Sequence, residues 1–422
     1  MSITQHLKPS RMVRFVVAAA VAGLVAVTLA APSEAAPGPT TMICTGSPNG
    51  TADAVNFDLQ ATDGRIDTPD GNTVYMWGFA TDPGSFQMPG PVLCVDEGDT
   101  VTVNLTNTLA EPTSIVFPGQ MGVSASGGSA GLLATEAAAG GGEVSYTFTA
   151  AEPGTYLYES GTNITKQLQM GLSGTLVVRP SLGASYAYDD PATEFDPDRE
   201  YLLVMHEIDP DLHFAVEIGA PYLPTTRHDR YWTINGRGAT DTLLDNNVPW
   251  LPSQPYSSLV RVEAGAELPA LIRYANAGTV NHPFHPHGNT MQVVGRDGRA
   301  LGPAAFENFS TMLGAGQTYD LLFRWDNVEG WTPGPNGDLP DNTDFPFPVL
   351  GNLTFKDGET YYSGAEHLGE TGPFPAGVTS FNECGEFYFP WHSHALNEIQ
   401  NWNEGFGGML TLVRVDPPGG CS

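Results

Sequence analysis

Positive charge is scarce in this 422-residue chain: Lys plus Arg number 17 against 47 Asp plus Glu, a formal net charge of -30 at pH 7. A field of that sign repels phosphate backbones and anionic lipid, which argues against nucleic acid as a partner. Charged residues are only 15% of the chain and hydrophobic ones 41%, outside the regime in which chains stay disordered. Beyond Ala31 no apolar run is long enough to span a bilayer. Gly-rich phosphate loops, nucleophile elbows and CxxC pairs are missing, which removes the motif-based nucleotide, serine-hydrolase and dithiol readings. Between His6 and His206 there is no histidine at all.

Gly 49 and Pro 35 are in excess, penalising long helices and favouring short strands joined by turns, so the chain reads as all-β. Residues 1–35 have a basic start (Lys8, Arg11, Arg14), an apolar run from Phe15 to Ala31 and small residues around Ala35. They are expected to be a secretory signal peptide cleaved after Ala35, making the protein secreted and disulfides permissible. Residues 40–180 read as one strand-rich domain, 181–199 as an acidic linker, and 200–416 as a second strand-rich domain. The insertion 327–384 carries Trp331, Phe345, Phe347, Tyr361, Tyr362 and Phe374 and is too broken by Gly and Pro to read as sheet. Packing over the second domain is its expected role, with a lid or partner surface as the alternative. Four cysteines allow three pairings; Cys44–Cys94 and Cys384–Cys421 are expected, since each closes a loop within one half of the chain.

Five of the ten histidines lie in His282-Pro283-Phe284-His285-Pro286-His287 and Trp391-His392-Ser393-His394. Chance would place about 0.2 H-x-H pairs in a chain of this histidine content, and two are present. Residues two apart in a strand share a face, so His285 with His287, and His392 with His394, each present two imidazoles together. Four such nitrogens suit Cu(II) or Zn(II) rather than Ca or Mg. A hydrogen-bonded core cluster is the alternative. His206, His213, His228 and His367 are isolated and expected to be structural, while Met121 and Met170 are expected to pack rather than bind metal.

The stretches HPFHPHGNTMQVV (282–294) and WHSHALNEIQNWNEGFGGM (391–409) resemble the two copper motifs in the last domain of multicopper oxidases. Pro89-Gly90-Pro91, Glu97-Gly98-Asp99-Thr100-Val101, Gly154 to Tyr158 and Gly171 to Gly174 are similar to that family's first domain. The resemblance implies two cupredoxin-like Greek-key β-sandwich or barrel domains, copper as cofactor, and oxidation of a small-molecule or metal-ion reductant coupled to reduction of O2. It makes His282 a blue-copper ligand and places His285, His287, His392 and His394 in the oxygen-reducing cluster.

The chain departs from that pattern where the family's blue-copper cysteine becomes Ser393, whose hydroxyl is a hard, un-ionised donor. The second blue-copper histidine aligns with Glu398, and Met409 stands near the axial position. The first domain's ligand pairs align with Val116-Phe117-Pro118-Gly119 and Glu159-Ser160-Gly161, where only Glu159 can bind metal. Two-domain relatives form homotrimers, which leaves room for a homo-oligomer, although a second copy brings no first-domain histidine. The expected function is a secreted copper-binding protein with residual oxidoreductase activity. A copper-sequestering or delivery protein, or an interaction module on the old fold, are the alternatives; catalytic residues and substrate are not readable.

Overall fold

Period-two alternation builds both halves of the chain: along Thr100–Asn107 the side chains of Val101, Val103 and Leu105 are buried while the intervening threonines and asparagine are not. The computed structural model describes residues 39–326, 351–356, 360–364, 387–416 and 418–420. The expected export segment, the expected Cys384–Cys421 pair, His367 and much of the insertion lie outside these residues.

In the first half, β1 (Ala54–Asp67), β2 (Thr73–Thr81), β3 (Leu93–Asp96), β4 (Thr100–Asn107), β5 (Ser124–Gly127), β6 (Gly142–Thr149), β7 (Gly154–Glu159) and β8 (Ser173–Arg179) form two sheets. Their orders are β2-β1-β4-β6-β5 and β3-β8-β7. Phe57, Val103, Phe117, Tyr146, Tyr158 and Leu176 fill the space between them. A short helix, α1 (Ile164–Gln167), follows β7. Cys44 and Cys94 are disulfide-bonded as expected.

The second half holds β9 (Glu200–Ile208), β10 (Tyr231–Ile234), β11 (Val260–Glu263), β12 (Ala270–Asn276), β13 (His282–Pro286), β14 (Met291–Arg296), β15 (Thr311–Leu313), β16 (Thr318–Phe323), β17 (Phe387–Ser393) and β18 (Leu410–Asp416), with helix α2 (Pro210–Glu217) after β9. One sheet runs β10-β9-β12-β16-β14 and the other β11-β18-β17-β13-β15. Leu203, Ile272, Phe284, Phe389, Trp391 and Val413 form the core between them. The all-β, two-sandwich expectation is met. Part of the insertion is sheet after all: Gly351–Lys356 pairs with Thr360–Gly364, and Leu353 sits opposite Tyr388. The Asp357-Gly358 pair between two β-forming runs was the hairpin signal in the sequence. Among the described residues no helix is long and apolar enough to cross a membrane.

The two sandwiches meet over Val92, Leu157 and Val177 from the first and Leu202, Val204 and Ala275 from the second. A buried ionic chain runs beside this apolar seam. Arg179 donates to both carboxylate oxygens of Glu200 at 2.7 Å. Arg273 donates to Glu200 at 2.6 Å and to Asp320 at 3.0 Å. Thr155 and Tyr188 also donate to Asp320, each at 2.5 Å. The 181–199 stretch is therefore no free tether, since Ala187, Tyr188 and Phe195 are buried against Leu271, Val294 and Leu322.

Candidate metal centre

The antiparallel pairing of β13 with β17 sets His285 directly opposite His392, Phe284 opposite Ser393 and Pro286 opposite Trp391. Strand parity then sorts the side chains. His282 and Phe284 are fully buried in the sandwich, and His285 lies on the other face. Ring centroids of His285 lie 4.9 Å from His287, 5.6 Å from His392 and 5.2 Å from His394. His392 is 5.2 Å from His287 and 5.9 Å from His394. The four imidazoles read from the sequence as a set are one cluster in space. His392 is buried and His394 exposed, so the cluster opens toward solvent on one side.

Two rings are anchored from behind. His285 Nδ1 bonds the Phe309 carbonyl, and His392 Nδ1 bonds the Ser393 carbonyl at 2.8 Å. Since a carbonyl only accepts, each Nδ1 carries the proton and each Nε2 the lone pair. Metal-ligating histidines are held in this way, with the far nitrogen fixed by a backbone acceptor. Burial, reinforced by neighbouring His285 and His394, lowers the His392 pKa, which keeps its imidazole in the neutral form a metal requires. Among the described residues no three His, Cys, Asp or Glu groups are already set around one ion-sized point. His287 Nδ1 lies 2.9 Å from His392 Nε2, so these two rings are hydrogen-bonded to each other. Four imidazole nitrogens are a donor set of the kind that suits a borderline cation such as Cu(II) or Zn(II).

His282 differs from the sequence expectation. Its Nδ1 donates to Glu398 Oε2 at 2.9 Å and its Nε2 to Glu207 Oε2 at 3.3 Å, so both nitrogens are held by carboxylates rather than directed to a metal. Ser393 Oγ donates to the same Glu398 oxygen at 2.5 Å. The place where the family resemblance puts blue copper is thus filled by a Ser393–Glu398–His282–Glu207 chain, which continues to Arg227 through a 2.5 Å ion pair. Met409 is fully buried, and its backbone joins Glu398 and Ser393. Glu398 is committed to this chain and not to the cluster. Glu159 lies in the first sandwich, its backbone paired with Val116 as His285 is paired with His392. Burial raises its carboxyl pKa, and no described hydrogen bond joins it to the cluster.

Burial opposes the charge on His282, but hydrogen bonds and charge from Glu207 and Glu398 outweigh it and raise its pKa to about 9. Glu207 feels the same burial in the opposite sense, and the hydrogen bond from His282 brings it down to about 2. Because the folded value of His282 lies above its ordinary 6.5, its contribution is complete below that pH and is lost as pH rises through about 9. The metal-free chain is expected to lose on the order of 3 kcal/mol over that window, and His282→Gln to flatten the dependence. Urea unfolding from about pH 6 to pH 10 checks both.

Glu207 was not singled out by the sequence, although a His-Glu pair after the apolar run Tyr201–Met205 was the available signal. His206 bonds the Leu168 carbonyl and His213 bonds the carbonyls of Tyr75 and Gln169, both away from the cluster. His228 lines an open surface cleft beside Trp402. Met170 packs in the core as expected, whereas Met121 is 81% exposed.

Residues 65–182 and 225–332 each match a family profile described as multicopper oxidase, together more than half of the chain. The chain is 25% identical over 247 residues to a probable nitrite reductase-hydroxylamine oxidoreductase fusion protein of Kuenenia stuttgartiensis, covering 56% of this chain and 25% of that protein. It is 25% identical over 268 residues to copper resistance protein A of Escherichia coli, covering 56% and 41%. These alignments therefore span less than half the length of either relative. Among solved structures, the blue copper oxidase from Nitrosomonas europaea superimposes with a TM-score of 0.57 at 20% identity over 86% of both chains, which shows a shared cupredoxin fold. With the fold, the paired motif strands and both family matches in agreement, this chain belongs to the multicopper oxidase family.

Proposed function

We propose that this is an exported copper protein whose second-domain histidines His285, His287, His392 and His394 hold one or two copper ions and support oxidoreductase chemistry without a blue copper centre. The observation that carries the proposal is the gathering of four imidazoles on one face, two of them with Nδ1 tied to carbonyls. Bound copper would supply a redox-active Lewis acid there. The chain's own contribution is positional. The β13–β17 register sets the spacing of His285 and His392, the Phe309 and Ser393 carbonyls fix their tautomers, and exposed His394 leaves an approach for O2 and a small reductant. Removal of residues 1–35 on export belongs to this reading and is checked by the mass of the secreted chain.

The deciding experiment loads the chain with copper and records metal content, absorption, EPR and oxygen uptake with phenol and metal-ion reductants. One or two coppers, no intense blue band and copper-dependent oxygen uptake are expected. An empty protein at full loading overturns the reading. Tight binding without turnover favours the second reading, a sequestering or delivery protein. What supports that alternative is Ser393, standing where the resemblance implies an electron-supplying cysteine, with its hydroxyl engaged by Glu398.

A further inference from the structure

The edge strand β15 brings a sulfur donor to the same face as the histidine cluster. Met312 stands opposite Pro283, flanked by Leu313 opposite His282 and Thr311 opposite Phe284. Leu313 and Thr311 are buried with His282 and Phe284 in the sandwich, so strand parity turns Met312 outward together with Pro283 and His285. Its side chain is 56% exposed, whereas Met170, Met291 and Met409 are buried. This thioether is therefore not used to fill the core, the commoner employment of methionine.

The strand register relates Met312 to the imidazoles. His394 donates its backbone N–H to the Pro283 carbonyl at 2.6 Å, which continues the β13–β17 ladder by one step and sets His394 opposite Pro283. Met312, Pro283 and His394 thus form one row across three strands, and His285 with His392 lies in the next. Met312 and His285 are diagonal neighbours on adjacent antiparallel strands, a placement about 7–8 Å apart that long side chains bridge. The His285 ring reaches toward the same row, its centroid 5.2 Å from that of His394. Donor chemistry then separates two oxidation states. Imidazole nitrogen serves Cu(II) well, while a thioether is a soft donor that selects Cu(I). His285 offers its Nε2, because its Nδ1 is tied to the Phe309 carbonyl.

We infer that Met312 is a ligand for Cu(I) at the edge of the histidine cluster, shared with His285 and His394. The inference rests on the copper reading of that cluster and adds a donor that holds the reduced ion. Anaerobic titration of the full chain with Cu(I) against a chromogenic chelator, and with Cu(II) against a second chelator followed by EPR, tests it in wild type, Met312→Leu and Met121→Leu. Leucine keeps the size and apolar character of an exposed methionine, so the melting temperature should not move. Met312→Leu is expected to weaken Cu(I) binding by about tenfold or more, since loss even of a group that only orients a ligand costs that much. Its Cu(II) affinity should stay at the wild-type value, and the X-ray absorption of its Cu(I) form should lack the sulfur scattering seen in wild type. Met121, exposed on the first sandwich, should be replaceable without effect on either ion. Wild-type Cu(I) affinity in Met312→Leu while Cu(II) still binds overturns this assignment alone, as does an equal loss for Cu(II) or in Met121→Leu. A chain that takes up neither ion overturns the copper reading and the assignment together.

Discussion

The His285→Ala, His392→Ala double variant is expected to lose copper affinity by well over a hundredfold while keeping its fold. These rings face each other across the β13–β17 ladder, and their Nδ1 atoms are tied to the Phe309 and Ser393 carbonyls. They are the two best-oriented donors of the cluster. Loss of an outer partner that merely orients a ligand costs about 10- to 100-fold in affinity, so loss of two ligands costs more. His285 is half-buried at the open end of the site, and its truncation leaves no deep void in the sandwich core. Competition with a copper chelator measures the affinity, and circular dichroism melts confirm folding. Wild-type copper content in the double variant would place the metal elsewhere.

Arg273→Met is expected to destabilise the chain by about 3–5 kcal/mol, because removing one partner of a buried ionic set strands the others. Arg273 is fully buried and joins Glu200 to Asp320 at the seam between the sandwiches. The arginines hold the Glu200 carboxylate ionised: burial raises its pKa, but the charges of Arg179 and Arg273 outweigh it and lower the net value. In the variant Asp320 keeps only its hydroxyl donors Thr155 and Tyr188. Asp320→Asn in the Arg273→Met background should recover part of the loss, because the stranded charge is then removed. Urea unfolding measures the set, and a loss below about 1 kcal/mol would show that the seam does not depend on this ion pair.

Much of this architecture is legible in the sequence. Alternation along β4 and β6 predicts strands with one buried face, and the parity of two H-x-H pairs predicts four imidazoles on one side. Both follow from local rules that need no knowledge of the partner strand. Long-range partners are what the sequence conceals. His282 stands at a recognisable motif position, yet its environment is set by Glu207, 75 residues away on β9, and by Glu398 on a turn after β17. Arg273 lies in the apolar run Ala270–Asn276, and nothing local reveals that Glu200 and Asp320 converge on it. The 181–199 stretch looks solvated because acids and prolines break up its apolar residues, but two aromatic side chains decide its path by burying themselves.

The Ser393–Glu398–His282–Glu207 chain also ties the choice of residue at 393 to its three partners. A cysteine placed there alone would meet the Glu398 carboxylate that accepts from Ser393. That negative charge disfavours a thiolate, the form in which cysteine binds metal. Replacing Glu398 as well would leave the buried His282 cation with one carboxylate instead of two. A change at any one of these four positions leaves a buried partner unsatisfied, so they are free to vary only as a set.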